Sequence, residues 1–203
     1  MLNRPLSASG FTLIELITTL TIAGILTAIA VPTFSSVISS NRLTAYTNEF
    51  VTALNLARSE AIKRGTKVTI RRKGDVDKVW ENGWDVFVDF DGDNKLNEGD
   101  DMVLCESVAG MATEDCLLRT YPALPTGFTL RSNGNLPKII SFSAMGKSPI
   151  GVLILCDTNR SDFLKTAKAI IITSTGRVRM GIDPDKDGIP NDATGIEIPD
   201  CVP

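Results

Sequence analysis

The feature that most constrains this chain is its head. Gly10-Phe11-Thr12-Leu13-Ile14-Glu15-Leu16 opens an almost unbroken apolar run that ends at Phe34. The residues up to Gly10 carry one positive charge, Arg4, and no acid, and the run itself carries a single charge, Glu15. At ~1.5 Å of rise per residue, about 24 residues make a helix of roughly 36 Å, enough to cross a hydrocarbon core. The segment is therefore expected to begin life in a membrane. An ordinary secretory signal is shorter, precedes a small-x-small cleavage site and is removed. Here the candidate cleavage point, Gly10, lies before the run, so cutting there leaves the apolar segment on the mature protein. Glu15 is equally unlike an ordinary anchor, because a lone charge at the bilayer centre costs ~2.5–3.5 kcal/mol, and less towards the interface. A carboxylate kept there needs a partner. Pro32, lacking an N–H and carrying a ring, is expected to bend or break the helix.

These residues resemble the type III leader and N-terminal motif of type IV pilins and type II secretion pseudopilins. The resemblance implies cleavage after Gly10 by prepilin peptidase and N-methylation of the new terminus, Phe11. It also implies that Glu15 contacts the terminal amine of a neighbouring subunit, and that Pro32 is the helix-kinking proline common in pilins.

The chain has 203 residues, and the portion beyond the apolar helix suits one globular domain with a modest core. There are 21 basic and 24 acidic residues and no histidine. That inventory excludes Ser-His-Asp chemistry and most catalytic zinc sites. No GxSxG, Walker or dinucleotide fingerprint is present either, and the acids cluster in turns, so no enzymatic activity is expected. The four cysteines, Cys105, Cys116, Cys156 and Cys201, all lie beyond the apolar helix. On the exported side of a membrane they read as two disulfides, with three connectivities open. The expected pairs are Cys105–Cys116, closing a short loop, and Cys156–Cys201, tying the tail to a core strand.

Beyond Pro32, Val37, Leu43, Phe50, Leu54, Ala57 and Ala61 recur at helical spacing with polar residues between them, and Gly65 follows a basic pair as a helix stop. One helix over about 11–64 is expected, with 11–34 in membrane or filament core and 35–64 amphipathic, packed on a head of residues 65–203. Strands are expected near 66–72, 84–90, 102–107, 116–121, 127–131, 138–143, 151–156, 168–174 and 177–182. The run Gly151-Val-Leu-Ile-Leu-Cys156 is apolar throughout, as a strand covered on both faces would be. Trp80 and Trp84 read as packing residues. The fold class is α+β and pilin-like, a long N-terminal helix on a β-rich head of antiparallel or mixed sheets.

The head resembles the GspH/FimT group of minor pilins in Leu56-Ala57-Arg58-Ser59-Glu60-Ala61, in Gly83-Trp84-Asp85-Val86-Phe87-Val88-Asp89 with its Asp/Asn/Gly-rich turn, and in Ser174-Thr175-Gly176-Arg177-Val178-Arg179. The resemblance implies a minor subunit of a type IV pilus, with other minor and major pilins and prepilin peptidase as partners. It would be a single-pass inner-membrane protein before assembly, and then part of the pilus with its head in the periplasm or outside. Alternatives within the group are a FimU-like structural subunit that primes assembly and an H-type pseudopilin of type II secretion.

Two constellations carry candidate binding chemistry. On a strand, Arg177 and Arg179 point together to solvent while Val178 points inward. Guanidiniums about 7 Å apart roughly match successive phosphates of one nucleic-acid strand. The resemblance of Gly176-Arg177-Val178-Arg179 to the Gly-Arg-x-Arg motif of FimT implies binding of double-stranded DNA during natural transformation. Lys67 and Arg71, with Lys63, Arg64, Arg72 and Lys73, would extend the surface if folding brings them close. The second constellation is Asp183-Pro-Asp185-Lys-Asp187-Gly188-Ile189-Pro-Asn191, which follows the calcium-loop scheme. Carboxylates fall at positions 1, 3 and 5, Gly at 6, the Ile189 carbonyl at 7 and Asn191 at 9. It resembles thrombospondin type 3 calcium repeats, but position 12 is Thr194 where an acid belongs. No cofactor is required, and Ca²⁺ is the one the sequence suggests. The acidic stretch from Asp89 to Asp100 is the weaker calcium candidate, because its Gly falls at position 4 rather than 6, and a hairpin turn after the 83–90 strand is expected there.

Overall fold

The computed structural model describes residues 10–96, 104–105, 114–132, 136, 138–159, 161–191, 195 and 201. The chain divides into two compact units, Met1–Asn41 and Arg42–Pro203.

In the first unit the long helix α1 (Leu13–Arg64) begins, and it is the one described helix long and apolar enough to cross a membrane. Its large apolar residues are exposed from Leu13 to Ile38. Helical backbone continues through position 32, so Pro32 does not break it. Hydroxyls along this stretch fold back onto the helix: Thr18, Thr19, Thr21 and Thr27 donate to carbonyls three or four residues earlier, at 2.7–3.0 Å. Such bonds give a polar side chain an intrahelical partner and suit it to lipid.

In the second unit α1 buries one face. Leu43, Thr47, Phe50, Leu54, Ala57 and Ala61 are almost fully buried, alternating by four and three residues as one side of a helix requires. Thr47 fills its polar slot without penalty because Oγ1 donates to Leu43 O at 2.8 Å. The helix stops at Gly65, whose φ of 66° is the left-handed conformation of a helix-terminating glycine.

Two four-stranded antiparallel sheets complete the unit. The first orders β3 (Cys116–Tyr121), β2 (Trp84–Asp89), β1 (Lys67–Arg72) and β5 (Ile139–Phe142). The second orders β4 (Phe128–Ser132), β6 (Gly151–Asp157), β7 (Lys168–Ile172) and β8 (Val178–Met180). A single turn of helix, α2 (Phe163–Thr166), joins β6 to β7. The main core gathers the buried face of α1, Val68, Ile70, Val86 and Val88 of the first sheet, and Leu130, Leu153, Leu155, Ile170 and Ile172 of the second. Phe50, on the buried face of α1, lies edge-on to both Trp80 and Trp84. Val152, Ile154, Cys156, Ala169 and Ile171 face the other way into a second cluster, covered by Phe163, Leu164, Ile189 and Cys201. Both faces of β6 are therefore covered, which is why its sequence does not alternate. Disulfides join Cys105 to Cys116 and Cys156 to Cys201.

Two expectations change, and a third lies mostly outside the described residues. Of the strand expected at 102–107, only Leu104 and Cys105 fall within the described residues; Leu104 makes an isolated parallel bridge with Leu117, and Cys105 lies in a turn. The 177–182 strand shrinks to Val178–Met180, because the chain leaves the sheet once Gly181 N–H has bonded Ala169 O. The turn after β2 is no tight hairpin, since the next strand of the sheet, β3, starts at Cys116 and residues 90–96 open a long connection.

Candidate functional site

At the start of α1, Thr12 and Glu15 form a reciprocal capping box. Thr12 N–H and Oγ1–H both donate to Glu15 Oε2, at 2.9 and 2.7 Å, and Glu15 N–H donates to Thr12 Oγ1 at 3.3 Å. A helix start leaves its first amides open, and this arrangement closes two of them. The carboxylate that the sequence left in search of a partner thus has one two residues past Gly10. The Thr-x-x-Glu spacing is the signal that reading the stretch only as a membrane segment passes over. Gly10 and Phe11, on either side of the expected cut, are both exposed.

In the second unit the hairpin between β7 and β8 presents the arginine pair. Gly176 N–H donates to Thr173 O at 2.8 Å, and Thr173 N–H donates to Arg177 O at 3.0 Å, closing the turn. Gly176 has φ 70°, and a Cβ there would stand 1.9 Å from Gly146 O, so both the conformation and the approach demand glycine. Arg58 of α1 holds the same junction, donating from Nε to Gly146 O at 3.4 Å and from Nη2 to Thr175 O at 3.2 Å. Arg177 lies in the turn, one residue before β8, and Arg179 lies within it; both are exposed, while Val178 between them packs on the core. Neither arginine enters an ion pair among the described residues.

The other bases are placed differently. Lys67 and Arg71 belong to the first sheet, whereas Arg177 precedes the edge strand of the second and Arg179 lies in it. Lys67 Nζ pairs with Asp89 Oδ2 at 2.9 Å, Lys73 with Asp85 at 3.2 Å and Lys63 with Glu60 at 3.5 Å, and Arg64 Nε lies 2.6 Å from Glu60. Arg72 is buried and paired with Asp77, and Arg71 lies over the Phe87 ring. Folding therefore pairs Lys63, Arg64, Lys67, Arg72 and Lys73 with carboxylates and lays Arg71 over an aromatic ring. Of the predicted surface, Arg177 and Arg179 alone are both exposed and without an ion pair among the described residues.

Two groups of carboxylates converge. Asp183, Asp185 and Asp187 bring one oxygen each to within 4.8 Å of the others. The backbone N–H groups of Lys186 and Gly188 donate to Asp183, and that of Ile189 donates to Asp187, each at 2.8 Å. Desolvation works against the Asp183 charge, but the Gly188 N–H, Asp185 and the Lys186 and Asp187 N–H groups together hold its carboxyl below the usual range. Asn191 donates from Nδ2 to Gly195 O at 2.8 Å, while its Oδ1 is buried without a hydrogen-bond partner among the described residues. The second group, Asp89, Asp91, Asp93 and Asp115, likewise brings one oxygen each to within 4.8 Å of the others. Burial pushes the Asp115 carboxyl up against the opposing bond from Phe90 N–H, and the charges of Asp91, Asp89 and Asp93 add to the rise. Asp115 is distant in sequence from the other three, which is why sequence spacing did not reveal the group.

The family model of the type II transport protein GspH matches residues 46–176, well over half of the chain. It begins beyond the N-terminal motif and stops one residue short of Arg177. Among solved structures, the type IV minor pilin FimU of Pseudomonas aeruginosa is similar at 18% identity and a TM-score of 0.50, over 79% of this chain and 96% of that one. A second crystal form of FimU matches at 19% identity and a TM-score of 0.43, over 71% and 90%. No curated protein matches the chain. With its long N-terminal helix, its paired antiparallel sheets and a family match spanning most of the second unit, the chain belongs to the GspH/FimT family of minor pilins and pseudopilins.

Proposed function

We propose that this chain is a minor pilin, cut after Gly10 by prepilin peptidase and methylated on Phe11. Held first in the inner membrane by residues 11–34, it is then transferred into a type IV pilus, where it joins other minor and major pilins near the tip. One observation carries the reading. The stretch from Phe11 to Ile38 has a capped start and internally bonded hydroxyls, yet leaves its large apolar side chains exposed. It lacks only apolar neighbours, and lipid or the helices of other subunits supply them. Because the side chains stay in apolar surroundings in both states, transfer between them gains little hydrophobic energy; packing and charge pairing at Glu15 must favour assembly. Intact-mass measurement of the membrane-extracted chain tests the processing step. It should begin at Phe11 with one added methyl group, and Gly10→Val should leave residues 1–10 in place.

DNA capture is a second reading within the first. It is supported by Arg177 and Arg179, which are exposed and enter no ion pair among the described residues, where Lys63, Arg64, Lys67, Arg72 and Lys73 are paired with carboxylates. Salt titration of duplex binding tests it. Arg177→Gln with Arg179→Gln should weaken binding at least tenfold and flatten the salt dependence, since lost phosphate contacts lower both. Binding unchanged by the pair leaves the structural subunit alone. An H-type pseudopilin is the remaining alternative, and it predicts assembly with a secretion machine. The same reading includes calcium in the 183–191 loop, supported by three convergent carboxylates and by the orphaned Asn191 Oδ1 at the ninth position of the scheme.

A further inference from the structure

We propose that Asp89, Asp91, Asp93 and Asp115 form a second divalent-cation site of calcium class, at the junction of β2 and β3. The register of the two strands creates it. Val88 pairs with Cys116, so Asp89, the last residue of β2, and Asp115, just before β3, come side by side, while Asp91 and Asp93 turn back from the start of the connection. The Cys105–Cys116 bridge anchors the strand end that carries Asp115.

The independent observation is in the buried oxygens. Asp89 is 1% exposed, and its Oδ1 has no hydrogen-bond partner among the described residues; Asp115 Oδ2 is likewise buried and unpartnered. A buried carboxylate oxygen without a donor is costly, and two of them in one cluster call for a shared positive partner. The protein supplies part of it. Lys67 Nζ takes Asp89 Oδ2 at 2.9 Å and Gly92 O at 3.0 Å, and Lys95 Nζ lies 3.6 Å from Asp93 Oδ2. Four carboxylates against two ammonium groups leave two negative charges, the charge of one divalent cation.

Ligand chemistry selects the class. Every donor is oxygen, which favours a hard cation over zinc or copper. Carboxylate oxygens within 4.8 Å of one another can share one ion, and the number of them separates the two hard cations: calcium takes six to eight oxygens and accepts several carboxylates, whereas magnesium keeps several waters and takes one or two. Asp91 and Asp93 are exposed and give entry, and Asp89 forms the floor. A cation bound here ties the end of β2 to the start of β3.

The test is calorimetric titration of CaCl₂ into the full chain in detergent micelles. With Asp183→Asn, Asp185→Asn and Asp187→Asn in place to silence the other loop, one calcium should still bind. Adding Asp91→Asn and Asp93→Asn, both at exposed positions, should weaken that binding at least tenfold while leaving the melting temperature in chelator unchanged. Asp115→Asn should do the same. No binding in the background variant, or binding indifferent to Asp91, Asp93 and Asp115, overturns the site; MgCl₂ binding as tightly as CaCl₂ overturns the calcium class. The proposal for the 183–191 loop fails separately, if the chain carrying only Asp91→Asn and Asp93→Asn takes up no calcium.

Discussion

Along α1 one helical geometry carries two opposite burial patterns. Up to Asn41 the large apolar side chains are exposed, Leu26 at 62% and Ile29 at 65%; from Arg42 onwards Leu43, Phe50 and Leu54 are buried at 1% or less. Periodicity explains the second half, where one face is apolar and the head's sheets cover it. The first half has no such face, being apolar all round, and a helix of that kind is stable only where its surroundings are apolar too. The difference teaches where each half finds its partner: the second within this chain, the first outside it.

The sharpest way to break that contrast is to truncate one residue on each side. Trp84→Ala removes a fully buried ring packed on Phe50 and Tyr121 and should cost about 5 kcal/mol in unfolding of the head. Leu26→Ala should leave the same transition within ~0.5 kcal/mol. Denaturant unfolding followed by tryptophan fluorescence compares the two, and equal effects would erase the distinction.

The disulfides sharpen the picture inside the head. Replacing Cys156 and Cys201 by serine opens a loop of 45 residues and should cost ~4 kcal/mol, while opening the 11-residue Cys105–Cys116 loop should cost ~3 kcal/mol on chain entropy. Neither change should alter extraction of the chain from membranes, which depends on the first half of α1.

The smallest effect concerns Glu60, near the end of α1. Its hydrogen bond from Arg64, with the charges of Arg64 and Lys63, holds its carboxyl below the usual range despite partial burial. A depressed folded value means the contribution is present above the ordinary glutamate range and is lost as pH falls through the folded value. Glu60→Gln should therefore cost ~0.3–0.5 kcal/mol at pH 7 and nothing once the carboxyl is protonated in both states, read from unfolding curves at the two pH values.

Much of the fold was legible because its signals are local. Gly65 ends α1, and the apolar run of β6 correctly announced a strand covered on both faces. The arginine pair was also legible, since alternation alone puts Val178 inward and its neighbours out. What stayed hidden depends on register and on contacts between distant residues. The basic run 63–73 looks like a surface until β1 pairs with β2, which sets Lys67 opposite Asp89 and Arg71 opposite Asp85. Asp115 joins the acidic turn only through the pairing of β2 with β3, and the role of Arg58 becomes visible only where Gly146 and Thr175 meet it. The capping box was local and readable; the apolar run around it drew attention to lipid and away from Thr12.

The most direct test of the external-partner account is fractionation. The chain and its Glu15→Ala variant are expressed in a cell that makes type IV pili, and the membrane and sheared-filament fractions are compared by immunoblot. The account predicts that the wild-type chain appears in both fractions, and that the variant stays in the membrane fraction, depleted at least tenfold from filaments. A wild-type chain that never leaves the membrane while filaments are being made would contradict it, and would reduce the apolar half of α1 to an anchor.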